Sequence, residues 1–160
     1  MRNTLITILF VLAASSVFAQ FRDTTWGISQ AEVVEIEGEA FTVTGEDTYV
    51  RRVWYSERTF LDFSAEVFYA FEDDMLLSAG YLLPVDAGAR IVRAIETRQG
   101  LRHSARTQAA FFIDNETSIS VSIVNGKTLV TYTAERLLND LFEKDMARQR
   151  EQAEVDSAAF

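Results

Sequence analysis

The chain has 160 residues, with 15 basic against 24 acidic side chains, a formal net charge of −9 and no cysteine. Without cysteine there are no disulfides, no thiol catalysis, no thiolate metal sites and no lipid attachment through an N-terminal cysteine. The acidic balance disfavours generic binding to nucleic acid or anionic lipid, and 48% hydrophobic residues exclude a globally disordered chain.

At the N-terminus, Arg2 precedes an uncharged run from Leu5 to Ala14, and small residues lead to Val17-Phe18-Ala19. A positive start, a short apolar stretch and a small-residue end predict an export signal over residues 1–19, with the mature chain starting at Gln20. The run is too short to cross a hydrocarbon core of ~30 Å as a helix. A soluble periplasmic or secreted protein without a permanent membrane anchor is therefore expected. The mature part is expected to be a single α+β domain over residues 20–147.

Within Trp26-Gly27-Ile28-Ser29-Gln30-Ala31-Glu32-Val33, Ser29 and Glu32 have capping-box spacing, and Ile28 and Val33 have that of a hydrophobic staple. Gly38 supplies a left-handed stop, so a short helix is predicted from about Gln30 to Glu37. From Phe41 to Leu83 the pattern is extended. Tyr49 to Arg58, Phe63 to Phe71 and Met75 to Leu83 read as a meander, with the acidic turn Glu72-Asp73-Asp74 before the last strand and Pro84 ending it. The series Phe63, Ala65, Val67, Tyr69 and Phe71 falls on one sheet face.

Asp86 is the expected N-cap of a second helix, Ala87 to Gln99, stopped by Gly100. Its Ile91, Val92 and Ile95 face the sheet, and Arg90, Arg93 and Thr97 face away. Thr107 to Ile113, Thr117 to Val124 and Lys127 to Thr133 read as further strands. Asn125-Gly126 predicts a two-residue hairpin turn that sets Val121 opposite Val130 and Ile119 opposite Tyr132. A helix over residues 134–147 follows, with Leu137, Leu138, Leu141, Phe142 and Met146 as its apolar stripe. Residues 148–160 are expected to be a frayed, charged tail. The order helix-then-strands occurs over residues 26–83 and again over 86–133, which fits helices packed on one face of an antiparallel sheet.

The Trp-Gly-x-Ser-x-x-Glu-Val opening, the strand ending at Tyr69-x-Phe71 and the acidic turn before Leu76 resemble small exported bacterial proteins of poorly characterised families. The repeated helix-plus-meander is also similar to the β-lactamase-inhibitor-protein-like architecture, shared with small outer-membrane assembly lipoproteins of the SmpA/OmlA type. This resemblance implies a module that binds another macromolecule through a sheet surface or loops, without chemistry of its own. The lipoproteins carry a lipidated cysteine and the inhibitors carry disulfides, and this chain has neither.

Candidate chemistry is sparse. His103 is the only histidine, and its neighbour Ser104 points to the opposite face of an extended segment, so the two do not form a nucleophile and base. Glu66, Glu72, Asp73, Asp74, Asp114 and Glu116 are the candidates for a carboxylate pair acting on envelope glycans, which needs two carboxylates ~5–10 Å apart in a cleft. Asp73-Asp74 and Asp114-Asn115 read equally as turn formers. No run of alternating oxygen ligands points to calcium, so neither metal nor cofactor is expected. Asn115-Glu116-Thr117 matches a glycosylation acceptor, which counts only in a eukaryotic secretory pathway.

Residues 90–106 hold five arginines, Arg90, Arg93, Arg98, Arg102 and Arg106, against Glu96 alone. Such a cluster either grips an anionic partner through paired guanidinium hydrogen bonds or is a solvated helix face pairing with the chain's own acids. Arg52 and Trp54 share a strand face, suited to stacking on a partner or to covering apolar surface with the arginine stem. The function expected is a non-catalytic interaction module of the bacterial cell envelope, binding an envelope or secreted protein through Arg90, Arg93, Arg52 and Trp54. A glycan hydrolase and a small-ligand carrier using the aromatic-rich sheet are the alternatives.

Overall fold

A computed structural model describes residues 21–40, 42–45, 50–99, 104–106, 109–113 and 116–158. The export signal, His103, Gly100 and Asp114-Asn115 lie outside these residues. The elements, in chain order, are α1 (Gln30–Glu37), β1 (Thr42–Thr44), β2 (Arg51–Phe60), β3 (Phe63–Glu72), β4 (Met75–Pro84), α2 (Gly88–Gln99), β5 (Ser104–Arg106), β6 (Ala109–Ile113), β7 (Thr117–Val124), β8 (Lys127–Ala134) and α3 (Glu135–Ala158). The fold is α+β, as the alternation of patterns predicts.

The strands form one antiparallel sheet in the order β1-β2-β3-β4-β8-β7-β6-β5. Each half is a helix followed by a four-strand meander, and the last strands of the two halves meet at a central seam. There Ala79 lies opposite Tyr132 and Tyr81 opposite Val130. The two margins of the sheet are β1 and β5, of three residues each.

Local chemistry explains the connections. Among the described residues, three hairpins close on two residues with positive φ: Leu61-Asp62 (49° and 68°), Asp73-Asp74 (49° and 60°) and Asn125-Gly126 (51° and 72°). This handedness matches the twist of paired strands. The last turn sets Val121 against Val130 and Ile119 against Tyr132, the predicted register. The Ser29–Glu32 capping box is also present, and the Asp74 carboxylate accepts the Gln30 amide at 3.1 Å, satisfying a further free amide at the start of α1.

The core lies on one face of the sheet. Val53, Tyr55, Ala65, Val67, Tyr69, Phe71, Ala79, Tyr81, Leu83, Ile119, Val121 and Val130 project into it and meet Val33 of α1, Ile91 and Ile95 of α2, and Phe21. The strand period of two and the helix period of 3.6 each direct one apolar stripe to this layer. The Phe21 ring centroid stands 5.4 Å from that of Tyr69, 4.9 Å from Tyr81 and 5.1 Å from Tyr132.

Three expectations need correction. Asp86 does not cap α2: the chain runs from Pro84 into a 3-10 turn, Val85–Ala87, which has no side-chain cap. The second strand group has an extra member, because Ser104–Arg106 pairs with Ala109–Phe111 as a hairpin of its own. The last helix does not stop at 147 but continues to Ala158. Residues 148–158 contain neither Gly nor Pro and are rich in Arg, Gln, Glu and Ala, so backbone propensity carries the helix on after the apolar stripe ends. The stripe itself is poorly covered, with Phe142 66% and Leu138 41% exposed. No helix among the described residues is long and apolar enough to cross a membrane.

Candidate functional site: the second face of the sheet

Side chains that alternate with the core residues form the opposite face. The register places Thr42, Trp54, Phe68, Gly80, Thr131, Ser120, Phe111 and Ser104 in one row across all eight strands. A neighbouring row runs through Thr44, Arg52, Ala70, Ser78, Thr133 and Ser118. Of these residues, those whose side chains are described, on β1 to β4, β7 and β8, stand outside the core that the helices cover. Ser78, Ser118, Ser120, Thr131 and Thr133 are half-buried, and Arg52 is exposed. Small hydroxyl residues keep the middle of this face flat, with an aromatic pair on one side.

That pair is Trp54 and Phe68, whose ring centroids are 5.2 Å apart at 43°. The indole Nε1 donates to Thr44 Oγ1 at 3.3 Å, fixing the ring across the β1–β2 pair. Phe68 is buried, and its ring lies against Gly80. A Cβ at Gly80 would stand 2.6 Å from Phe68 Cε1 and 2.1 Å from the Val130 carbonyl oxygen. Arg52, one pleat along from Trp54, supplies an exposed cation beside the aromatic pair.

Arg90 and Arg93 belong to the other side of the sheet. The Arg90 guanidinium lies 4.7 Å from the centre of the Phe63 ring and 3.7 Å from Asp62 Oδ2. With Arg93, Leu61, Asp62, Ala94 and Thr97 it lines an open cleft of about 400 Å³ beside α2. The four arginine and tryptophan candidates therefore fall into two separate pairs, one on each face. The side chains of Arg98 and Arg106, and all of Arg102, lie outside the described residues.

Of the six candidate carboxylates, Asp114 lies outside the described residues, and the other five are spread over separate parts of the sheet. Glu66 and Glu72 are six residues apart on one strand, about 20 Å at strand rise. Glu66 is bound by Lys127 Nζ at 2.6 Å, and these two line a cleft of about 570 Å³ with Glu57 at the sheet end. Asp73 and Asp74 form a turn, where Asp74 caps α1. Glu116 lines a different cleft, of about 370 Å³, with Trp26, Arg136, Leu137 and Asp140. No group of three histidine or carboxylate side chains able to hold a metal ion occurs among the described residues.

Glu37 is a polar centre that no local sequence pattern marks. It ends α1, where the helix dipole disfavours a negative charge, yet its side chain is only 5% exposed. Arg22 Nε and Tyr69 Oη each donate to Oε1 at 2.5 Å, and Arg58 Nε lies 3.5 Å from Oε2. Burial alone would push the Glu37 carboxyl up; the Tyr69 hydrogen bond and the two guanidiniums outweigh it and hold the carboxyl below its ordinary value of 4.5. Burial and the same bond push the Tyr69 hydroxyl far above its ordinary range, so it remains a donor.

A group with a depressed folded pKa stabilises fully above its unfolded value, and that contribution is lost as pH falls through the folded value. Glu37→Gln is therefore expected to cost about 2–3 kcal/mol at pH 7. This is below the loss for a fully dry ion pair because the Arg22 and Arg58 side chains remain 27% and 31% exposed. The difference from the parent chain should shrink below pH 4.5, as urea melts at pH 7 and pH 3.5 would show. An unchanged difference at pH 3.5 would remove the charge from the account.

The chain matches no family model, no curated protein and no solved structure.

Proposed function

We propose that this chain is an exported, non-catalytic protein-interaction module of the bacterial cell envelope, and that its partner docks on the second face of the sheet. The observation that carries this reading is the asymmetry of the sheet. One face is covered by α1, α2 and Phe21, while the other presents a row of small hydroxyls flanked by Trp54, Phe68 and Arg52. Tryptophan and arginine are the side chains that most often anchor protein interfaces. A flat, pre-organised β surface also needs little ordering on association. The N-terminal leader composition and the resemblance to sheet-binding exported modules support the compartment.

The partner should offer an acidic or amide-rich loop. On a chain of net charge −9, Arg52 stands beside the aromatic pair of this face, and Glu66 and Lys127, at the sheet end, are paired with each other. A partner carrying negative charge meets less repulsion there than elsewhere on the molecule. The Arg90–Arg93 side of α2 is a second contact region for such a partner only if the partner reaches round the sheet edge.

The test is capture from envelope extract by crosslinking at native abundance. A chain with Trp54→Ala and Arg52→Glu should lose partner yield by about 100-fold, as expected for removing two anchors of ~1–2 kcal/mol each. A chain with Arg90→Glu and Arg93→Glu should lose little. The reverse ranking, with both proteins folded by circular dichroism, would move the interface to α2. No captured partner for the parent chain would sink the interaction reading itself.

A further inference from the structure

The segment just after the leader is built into the core. Phe21 is 2% and Thr24 1% exposed. The Phe21 ring sits among Tyr69, Tyr81 and Tyr132, and the Phe21 carbonyl accepts both the Thr24 amide at 3.1 Å and the Thr24 hydroxyl at 2.6 Å. Arg22 is bound to Glu37. Trp26 Nε1 donates to Thr117 Oγ1 at 3.0 Å, and the Gly27 amide donates to the Leu76 carbonyl at 2.9 Å. From Phe21 to Gly27 the chain is held to α1, the sheet core and both halves of the meander.

This geometry bears on the maturation step. The bond expected to be cut joins Ala19 to Gln20, so Phe21, already anchored in the core, is the second residue of the mature chain. Two residues span at most about 7 Å when fully extended. An endopeptidase must hold several residues around the bond in extended form, and a body even one helix thick is about 10 Å across. It has no room between the bond and the folded domain.

We infer that leader removal precedes closure of the domain: a peptidase cuts the Ala19–Gln20 bond only while Phe21 is out of its tyrosine pocket, and the freed N-terminal segment then closes the core. The inference rests on the export reading above. The reaction is hydrolysis of one peptide bond, water supplying the hydroxyl to the Ala19 carboxylate and the hydrogen to the Gln20 amine. The folded precursor is thus a poor substrate, and the rate at which it is cut follows the population in which Phe21 is released.

The experiment uses the full 160-residue precursor in detergent micelles with a purified leader peptidase. A second precursor carries six Gly/Ser residues between Gln20 and Phe21, which keeps the scissile bond but adds up to about 20 Å of reach. Under folding conditions the unmodified precursor should be cut at least ~100-fold more slowly than the spacer chain. In urea, with both unfolded, the rates should converge. If the unmodified precursor gains resistance to a general protease only after cutting, the ordering is supported equally, because the core then closes only on the cleaved chain. Equal cutting of two folded precursors would overturn the inference. If neither is cut even in urea, the leader reading fails, a result distinct from equal cutting, and the ordering falls with it.

Discussion

Gly80→Ala is expected to destabilise the domain by about 3 kcal/mol or more, lowering the melting temperature by roughly 10 °C, although it adds a single methyl group. The methyl carbon would lie 2.1 Å from the Val130 carbonyl oxygen and 2.6 Å from the Phe68 ring. The ring can swing aside, but the carbonyl belongs to the β8 backbone, which pairs with β4 at the seam between the halves. Relief therefore requires parting the two strands that join the meanders. A double-mutant cycle separates the two clashes. Phe68→Ala in the same chain should recover only the part due to the ring, leaving at least half of the loss, as read from urea midpoints. Full recovery would mean that the seam yields easily and the backbone contact carries little.

Phe21→Ala is expected to cost about 3–5 kcal/mol, the range for removing a fully buried aromatic ring. The cavity would be bordered by Tyr69, Tyr81 and Tyr132, which come from three different strands, so no single shift fills it. Phe21→Leu should cost less than half as much, because most of the volume is kept. Thermal melts of the two mature chains check the ranking. Equal melting temperatures for Phe21→Ala and the parent would show that the N-terminal segment is ornamental to the core, and would also weaken the ordering of cleavage and folding.

Much of the fold is legible because its signals are local. Ser29 and Glu32 announce a helix start by spacing alone, and Asn125-Gly126 fixes a hairpin register because only residues tolerant of positive φ suit both turn positions. Leu61-Asp62 makes the same type of turn without that signal. Leucine seldom adopts positive φ, so the flanking pairing of Phe60 with Phe63 imposes it. The end of α3 was obscured for a different reason. Loss of the apolar stripe after Ala147 marks the end of packing, whereas the end of a helix also depends on backbone propensity.

The candidate site was half legible. Strand periodicity is enough to place Arg52 and Trp54 on one face. That Arg90 and Arg93 lie on the opposite side follows from Ile91 and Ile95 of α2 packing into the core and Arg90 lying over Phe63, and the row around Trp54 follows from strand pairings such as β4–β8, contacts between distant residues that no local pattern encodes. Phe68, Gly80, Thr131 and Ser120 join Trp54 in one row for the same reason. Glu37 escaped notice because a helix-terminal glutamate is ordinary, and its partners Arg22, Arg58 and Tyr69 come from three separate segments.

The brevity of β1 and β5 also restricts how copies of this protein can meet. A long, bare outer strand templates another chain by donating and accepting backbone hydrogen bonds, the route to runaway fibrillar growth. Here each outermost strand offers only three residues to such a graft, and the β2 stretch beyond β1 is bent by an irregularity between Tyr55 and Arg58. Lateral annealing is thereby discouraged in a chain with no disulfide to hold it closed, and recognition is left to side chains spread over the breadth of the sheet.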